Sequence, residues 1–249
     1  MIELTNLSKT FNPGQPNAVR ALNDVNLRIL PKEFLILVGA NGSGKSTLLN
    51  CIAGNIFSSK GEIRMDGRDV SHMPVYRRSA WVARVFQDPA QGSAANLSVL
   101  ENFRLASLRT SKKGLRIGLT RSFADRVRDQ VAALGMGLEQ HLDQPMGTLS
   151  GGQRQALSLL MAVMDDIRIL LLDEPTAALD PRSAEMVLKL ADQLIREYSV
   201  TAMMVTHNLK EAHQYGSRIV QMDNGSVLRD ISANGKANLT LNEMFDWFA

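Results

Sequence analysis

Apolar and polar positions alternate in two segments near the start of the chain. Residues 2–7 ("IELTNL") and 19–29 ("VRALNDVNLRI") show this period of two, which predicts antiparallel strands with one buried face. Residues 34–39 ("FLILVG") instead form a short continuous apolar run, as expected for a strand that is covered on both faces. Residues 61–67 ("GEIRMDG") and 81–87 ("WVARVFQ") predict further strands.

The second half of the chain alternates between strand and helix patterns. Residues 167–174 ("IRILLLDE") and 200–207 ("VTAMMVTH") predict buried strands. Residues 181–198 between them predict an amphipathic helix that begins with a proline in its first turn. Residues 218–230 ("RIVQMDNGSVLRD") predict a hairpin that turns at the central "NG". This alternation is typical of a mainly parallel sheet with helices on both faces.

A glycine-rich loop follows the buried strand at residues 34–39. Its sequence, "GANGSGKST" (residues 39–47), matches the phosphate-loop pattern G-x-x-x-x-G-K-[ST] and stands between a strand pattern and a helix pattern. Glycines let backbone N–H groups turn towards phosphate oxygens at the positive end of the helix. Lys45 is expected to reach the β and γ phosphates, and the Ser46 hydroxyl to bind Mg²⁺. The expected nucleotide-binding residues of this loop are Gly39, Asn41, Gly42, Ser43, Gly44, Lys45, Ser46 and Thr47.

Two carboxylates end the strand predicted at residues 167–174. The apolar residues of "ILLLDE" bury the strand and deliver Asp173 to its C-terminal end, where open α/β sheets bind ligands. Asp173 is expected to hold Mg²⁺ or its waters, and Glu174 to polarise an attacking water as a general base. An acidic pair at such a position is often only a helix cap, but its combination with the phosphate loop favours the catalytic interpretation.

These elements predict one α/β domain with three parts. An antiparallel β subdomain at the N-terminus and a mainly parallel sheet form a P-loop nucleotide-binding core from residues 1–87 and 166–249. Residues 88–165, most of which carry a helical pattern, interrupt the strand–helix alternation. We therefore expect them to form an inserted α-helical subdomain.

Two adjacent glycines open an apolar stretch with the pattern of a buried helix, in "LSGGQRQ" (residues 149–155). Glycine is less favourable than alanine inside a helix by about 0.5–1 kcal/mol, so its use here requires a reason. The run "LSGGQ", together with the phosphate loop, "VFQDP", "LLLDEPTAALD" and "VTHN" in the family's order, resembles the ATP-binding cassette (ABC) ATPases over nearly the whole chain. The resemblance implies that Ser150 caps this helix and that Gly151 and Gly152 open its first N–H groups to a phosphate, with Gln153 in the same site.

The resemblance also assigns roles to residues outside these loops. Gln87 would contact Mg²⁺ or the attacking water, and His207 would touch the γ-phosphate and orient that water. Asp180 would couple the two sites of a dimer. Phe11 would stack on adenine, unless the "NPGQPN" that follows it places the ring elsewhere.

By the same resemblance, two such chains pack head to tail, and each "LSGGQ" run closes over the ATP held by the other chain. One chain would then carry two half-sites for ATP and Mg²⁺ and no complete site. The intact Glu174 implies two hydrolysing sites in a homodimer. The partners that follow are a second ATPase subunit, a polytopic membrane permease and, for an importer, a substrate-binding protein.

Composition limits which partners and which cellular compartment are expected for the protein. The 249 residues carry a formal net charge of only +3, which gives no support for a nucleic-acid partner. Cys51 is the single cysteine, so an internal disulfide is impossible and a reducing cytoplasm is the natural compartment. No uncharged apolar run approaches the roughly 20 residues needed to span a bilayer, and the first residues lack a signal-peptide pattern. We therefore expect the chain at the cytoplasmic face of a membrane, held there by a partner.

Two classes of function stay open for such an ATPase. We expect the ATPase subunit of a transporter, because the helical insert and "LSVLENF" after Gln87 correspond to the region that docks coupling helices in the family. The alternative is an ABC ATPase that works in assembly or regulation without translocation. Within transporters, the sequence resembles bacterial importer ATPases linked with tryptophan/tyrosine-type substrate-binding proteins, and a lipoprotein-release or export ATPase is the alternative.

Two segments lie outside all of these motifs. Residues 104–128 hold eight basic residues and one acidic residue, Asp125, which fits either a solvated face or a contact with a permease or an anionic leaflet. The C-terminal "LTLNEMFDWFA" concentrates apolar side chains, which either pack on the parent domain or form a patch for a partner.

Overall fold

The computed structural model describes residues 1–110 and 118–248. Within these residues ten strands form two sheets. The strands are β1 (Ile2–Phe11), β2 (Val19–Ile29), β3 (Phe34–Val38), β4 (Lys60–Met65), β5 (Arg68–Asp69), β6 (Val82–Val85), β7 (Ile169–Asp173), β8 (Ala202–Val205), β9 (Arg218–Asp223) and β10 (Ser226–Ile231).

Helices cover both faces of the larger sheet and fill the segment between β6 and β7. They are α1 (Lys45–Ala53), α2 (Val75–Arg78), α3 (Val99–Ser107), α4 (Arg121–Ala132), α5 (Gly151–Val163), α6 (Pro181–Glu197), α7 (Leu209–Gln214), α8 (Ala233–Asn238) and α9 (Leu241–Asp246). Short 3₁₀ turns occur at Pro89–Gly92, Leu138–Gln140 and Met146–Thr148.

Four of the described strands form an antiparallel sheet in the order β2-β1-β4-β5. Ile2 of β1 pairs with Ile29 of β2 on one side and with Met65 of β4 on the other. Ile2 and Leu4 are buried in one core cluster with Leu48 of α1, so one face of the sheet packs on that helix. The antiparallel strands predicted from the period of two are confirmed.

The other six described strands form a mainly parallel sheet in the order β10-β9-β3-β8-β7-β6. Strands β9, β3, β8, β7 and β6 are parallel, and β10 joins β9 as an antiparallel hairpin in which Asp223 pairs with Ser226. Asn224 and Gly225 between them have φ of 45° and 79°, as a type I′ turn requires. The hairpin predicted at "NG" is therefore confirmed.

The parallel strands bring several polar segments to one edge of this sheet. Strand β8 lies between β3 and β7, and Asp173 at the end of β7 pairs with Val205 at the end of β8. At this edge the chain leaves β3 into residues 39–47 and leaves β8 just before His207. Strand β6 is the next strand after β7, so Gln87 emerges at the same edge. Open α/β sheets bind their ligands at this carboxyl edge.

The helical insert packs directly on the sheet. Phe103 of α3 and Val127 of α4 are fully buried in the same core cluster as Leu170 of β7. This cluster lies on the α5 and α6 face of the sheet, and α1 covers the other face. The helical pattern between β6 and β7 is confirmed, and the division of the chain at residues 88 and 165 stays a prediction.

Some basic residues of the 104–128 segment serve the fold itself. Arg109 Nη2 donates to the carbonyls of Met161 and Ala162 in the last turn of α5, at 2.9 and 3.1 Å. The Arg104 guanidinium lies 5.6 Å from the centre of the Phe123 ring of α4. These side chains therefore stabilise helix ends and helix packing. Three other basic residues of the segment lie outside the described residues: Lys112, Lys113 and Arg116.

The C-terminal segment packs on the domain through one side of α9 and exposes the other side. Met244 is fully buried, and the Arg229 guanidinium lies 5.4 Å from the centre of the Trp247 ring. Phe245 and Phe248 are 50% and 40% exposed. The segment thus packs on its parent domain, and it also leaves an aromatic pair at the surface.

A buried arginine fixes the C-terminal end of α1. Arg78 is 0% exposed, and its Nη1 donates to the carbonyls of Cys51 and Ile52 at 2.6 and 3.2 Å. Its Nη2 donates to the carbonyls of Val70 and Met73. The last carbonyls of a helix lack donors within the helix, and a cation there also complements the helix dipole. One side chain therefore ties α1 to the chain segment that leads into β6.

We expect Arg78→Met to lower the free energy of unfolding by about 3 kcal/mol or more, because several buried carbonyls lose their donor at once. Arg77→Met is the matched control, since Arg77 is the exposed neighbour on the same helix. Its replacement should change the stability by less than about 0.5 kcal/mol. Urea denaturation followed by circular dichroism measures both variants. Equal stability of the two would show that the carbonyl contacts of Arg78 do not stabilise the fold.

Candidate functional site

The loop of residues 39–47 joins β3 to α1 and opens the helix without a side-chain cap. Gly44 occupies the N-cap position with φ 100° and ψ −1°, and no described side chain caps the first N–H groups of α1. A Cβ at Gly44 would lie 2.5 Å from the carbonyl oxygen of Ala21, so only glycine fits. Free N–H groups at the positive end of this nine-residue helix attract anions.

Lys45 is buried and bonded to its own loop. Its Nζ donates to the carbonyls of Gly39 and Ala40 at 2.8 and 2.9 Å. Burial lowers the pKa of Lys45, while the carboxylates of Glu174 and Asp173 act in the opposite direction. The ammonium group is therefore bonded to its own loop and is attracted by the two carboxylates at the end of β7.

The other loop residues surround this lysine. Ser43 is buried, and its Oγ lies 3.4 Å from Lys45 Nζ. Gly42 and Ser46 are exposed, and Thr47 is half-buried. Ser46 is the second residue of α1, so its hydroxyl belongs to the helix turn that attracts anions.

Glu174 has a backbone conformation that is uncommon for a residue with a side chain. Its φ is 45°, and its N–H donates to the carbonyl of Val205 at the end of β8, at 3.0 Å. Its Oε2 lies 3.1 Å from Nδ1 of His207. Non-glycine residues in the left-handed region are strained, and such strain concentrates at functional sites. A carboxylate and an imidazole are thus held together at the carboxyl edge of the sheet.

A cavity of about 940 Å³ opens at this edge. Residues that follow four different strands, β3, β6, β7 and β8, line it together, and a cavity of this size suits a small-molecule ligand. Phe245 of α9 and Phe248, which follows this helix, also line it. The predicted site residues in its lining are Gly39, Asn41, Gln87, Glu174 and His207.

The donors predicted for a metal are of the kind that Mg²⁺ prefers. Ser46, Gln87 and Asp173 offer a hydroxyl, an amide carbonyl and a carboxylate. Mg²⁺ is usually held by one or two carboxylates together with substrate phosphates. The described residues contain no group of three or more His, Cys, Asp and Glu side chains that could hold a metal. The Asp173 carboxylate already has one partner, because Arg84 Nη2 lies 2.5 Å from its Oδ2.

The signature residues (Ser150, Gly151, Gly152 and Gln153) do not line this cavity. Ser150 caps α5, since its Oγ accepts the N–H of Gln153 at 3.3 Å and Gln153 Oε1 accepts the N–H of Ser150 at 3.0 Å. Gly151 is exposed, whereas Gly152 is buried. A Cβ at Gly152 would lie 2.9 Å from the Ser183 side chain of α6. Close packing of α5 on α6 is therefore a further reason for the second glycine.

Asp180 and Phe11 also lie outside the cavity lining. The same is true of seven predicted residues at the ends of β3 and β7: Gly42, Ser43, Gly44, Lys45, Ser46, Thr47 and Asp173. Asp180 caps α6, and its Oδ1 accepts the N–H of Ser183 at 3.1 Å. Hydrogen bonds from Ser183 lower the pKa of Asp180. Phe11 ends β1 with an exposed ring, whose centre lies 5.2 Å from Lys9 Nζ. Asp180 thus fixes the helix end against which the signature helix packs, and Phe11 presents its ring at the surface.

Gln155 was missed by the sequence reasoning although it is the last residue of "LSGGQRQ". It is fully buried, and its Nε2 donates to the carbonyls of Phe86 and Pro175 at 3.0 and 2.9 Å. These two residues adjoin Gln87 and Glu174. One amide therefore joins the signature helix to both segments of the cavity wall. The sequence feature that could have indicated Gln155 is a polar residue on the buried side of a helix.

Glu211 of α7 was also missed. Its carboxylate accepts the hydroxyls of Thr206 at 2.6 Å and Thr176 at 3.0 Å. Thr206 precedes His207, and Thr176 follows Glu174 by two residues, so Glu211 holds these two segments against each other. A carboxylate on the helix that directly follows His207 was the available signal. Arg84 is the third residue that the sequence reasoning missed. A charged residue inside an otherwise apolar strand could have indicated it.

Comparison with known proteins agrees with this geometry. Residues 22–177 match the ABC transporter family. A tyrosine transport ATP-binding protein of Clostridioides difficile (strain R20291) is 40% identical over 250 residues, which cover 100% of this chain and 98% of that protein. The phosphonates import ATP-binding protein PhnC of Alcaligenes faecalis is 34% identical, over 99% of this chain and 90% of that protein.

A solved structure shows the same similarity in three dimensions. The dimeric ATP-binding cassette MJ0796, in a post-hydrolysis state bound to ADP and Pi, has a TM-score of 0.78 at 28% identity and covers 94% of this chain and 99% of that one. Among the helices described here, none has the length and apolar character needed to cross a membrane. Family match, full-length relatives and fold coincide, and the chain belongs to the ABC transporter family as an ATP-binding subunit that hydrolyses ATP.

Proposed function

We propose that this chain is the ATPase subunit of an importer for a small solute of the amino-acid class, and that two copies bind two ATP molecules between them. One observation carries the proposal: Gly39 and Asn41 of the phosphate loop line one cavity with Glu174, while the signature residues lie outside it. The C. difficile relative named for tyrosine transport supports the solute class. The phosphonates import relative supports the direction.

Binding of ATP begins at the free end of α1. Lys45 Nζ exchanges the carbonyls of Gly39 and Ala40 for oxygens of the β and γ phosphates. The exchange is favourable because a charge-assisted bond to phosphate is stronger than a bond to a neutral carbonyl. The rest of the loop, Asn41, Gly42, Ser43, Gly44 and Thr47, surrounds the phosphates, and Phe11 stacks on adenine.

Hydrolysis uses the residues at the ends of β6, β7 and β8. Ser46, Asp173 and Gln87 would hold Mg²⁺, which supplies positive charge to the phosphate oxygens when it is bound. Glu174 accepts a proton from the attacking water as the general base. His207 lies 3.1 Å from Glu174 and orients this carboxylate and the water beside the γ-phosphate.

The signature end of α5 serves the ATP of the second copy. Ser150 leaves exposed N–H groups at Gly151 and at the positive end of a thirteen-residue helix, which is a second anion site. Head-to-tail packing of two copies closes this end over the partner's γ-phosphate. Asp180 couples the two sites, because it caps the helix that packs on Gly152. The dimer of MJ0796 bound to ADP and Pi supports this arrangement.

A groove of about 450 Å³ offers a docking place for a permease. It lies between the turn at Pro89–Gly92, which follows Gln87, and helices α3 and α5. Leu105 lines it with an exposed apolar side chain. A permease in this groove would reach the segment that carries Gln87. The chain would then work at the cytoplasmic face of the membrane, with a substrate-binding protein delivering solute to the permease.

We expect Glu174→Gln to leave ATP binding intact and to lower hydrolysis by about 100-fold or more, because the amide keeps the shape of the side chain and cannot accept the proton. Unhydrolysed ATP should then hold two copies together. Size-exclusion chromatography with and without Mg-ATP measures the dimer, and Glu185→Gln on the exposed face of α6 is the control. Hydrolysis at the wild-type rate would refute the assignment of the base.

Lys45→Ala and Ser150→Arg should each abolish hydrolysis for a different reason. Lys45→Ala loses nucleotide affinity, whereas Ser150→Arg still binds ATP and blocks closure of the dimer. A mixed dimer places both defects in one composite site and leaves the other site intact. The ATPase assay of the mixture should therefore show activity that neither variant has alone. An inactive mixture, with mixed dimers demonstrated by differential tags, would contradict head-to-tail sharing.

Leu105→Asp should weaken co-purification with the polytopic partner by about tenfold or more, because a charge replaces an apolar contact at the groove. Hydrolysis by the isolated chain should stay within about twofold of wild type, since the groove is separate from the cavity. Leu228→Asp in β10 is the control, an equally exposed leucine outside the groove. If both variants lose co-purification with the partner to the same extent, the groove is not part of the interface.

A further inference from the structure

Arg84 is a charged residue within an apolar parallel strand. Its neighbours in β6, Val82, Ala83 and Val85, are buried, and Arg84 pairs with Leu171 of β7. Side chains alternate between the faces of a strand, so Arg84 lies on the face of Val82, which packs with α1. Asp173 lies on that same face, two positions beyond Leu171.

The guanidinium group of Arg84 has three partners in this place. Nη2 lies 2.5 Å from Asp173 Oδ2, and Nη1 donates to Asn50 Oδ1 of α1 at 2.7 Å. The group also lies 4.7 Å from the centre of the Phe86 ring. Strand β7, helix α1 and the residue that follows β6 therefore contact this one side chain, which gives it a defined position.

The pair of Arg84 and Asp173 is far less exposed than an ordinary surface ion pair. The two side chains are 13% and 16% exposed, whereas those of the pair Arg168–Asp66 are 50% and 48% exposed. Solvent screens a partly buried charge much less than an exposed one. The charge of Asp173 is therefore largely neutralised by Arg84, and one of its two oxygens is engaged.

We propose that Arg84 is a positioning residue for Asp173, which fixes the orientation of this carboxylate and prevents it from binding a divalent cation on its own. Mg²⁺ then binds at Asp173 only together with the phosphates of a nucleotide. The inference rests on the proposed binding of Mg-ATP at this site. Its physical basis is the repulsion between a fixed guanidinium and a dication at the same carboxylate, which is strong where screening is weak.

The test uses nucleotide-free protein and Mg²⁺ alone. Arg84→Met leaves Asp173 without its counter-charge, so the variant should have a lower melting temperature than wild type in EDTA. Added MgCl₂ should raise the melting temperature of Arg84→Met and leave that of wild type unchanged. Mn²⁺ binding, followed by electron paramagnetic resonance of the free ion, should be at least about tenfold tighter in Arg84→Met. Arg84→Lys keeps the charge and should behave like wild type towards both ions.

Two controls distinguish the loss of the Arg84–Asp173 ion pair from the general effect of losing an arginine. Arg168→Met removes the exposed partner of Asp66 and should show no response to Mg²⁺. The double variant Arg84→Met with Asp173→Asn should lose the response to Mg²⁺ and regain stability in EDTA, because neither charge is then left unpaired. Should Arg84→Met unfold in EDTA, Arg84→Gln removes the charge while keeping a donor and permits the same comparison.

The outcomes decide the proposal without reference to hydrolysis. A response of Arg84→Met equal to that of wild type would overturn it, and so would a response that persists in the double variant. A wild-type protein that binds Mn²⁺ tightly without nucleotide would overturn it as well. Failure of the proposed ATPase mechanism would instead show in Glu174→Gln, which this measurement does not involve.

Discussion

Parallel pairing of three apolar strands determines where the phosphate loop, Glu174 and His207 lie. Strands β3, β8 and β7 are adjacent, and a one-residue shift of their register would exchange their side chains between the two packed faces of the sheet. All three therefore end at one edge. The chain carries its glycine-rich loop, Asp173–Glu174 and His207 directly after these ends. The chemistry of the site is polar, but its geometry depends on the hydrophobic core.

The positive N-terminal end of α1 and the negative C-terminal ends of several helices have different contacts. The N-terminal end of α1 has no side-chain cap and is free for an anion. Cations contact the carbonyls at three C-terminal helix ends. Arg78 donates to carbonyls of α1, Arg109 to carbonyls of α5, and Lys236 to the carbonyls just after α7. Burial lowers the pKa of Lys236 to about 8, so this last contact involves a cation held in an unfavourable environment.

Local signals predicted most of the fold, and long-range contacts account for what was missed. The "NG" hairpin and the phosphate loop are encoded in consecutive residues, so the sequence was sufficient for both. Gln155 holds Phe86 and Pro175, which lie 69 and 20 positions away along the chain. No spacing rule connects such residues. The packing role of Gly152 was also not predictable from the sequence, because its contact with Ser183 depends on how two helices cross.

The side chains that the sequence did not reveal join the separate parts of the site. Gln155 connects the signature helix to the segments of Gln87 and Glu174, and Arg84 connects β6 to Asp173. Arg84 also lines the groove between α3 and α5. Arg84 therefore belongs both to the lining of the groove and to the ion pair with Asp173. A permease docked in this groove, as proposed, would contact the strand that carries Arg84 and leads directly into Gln87.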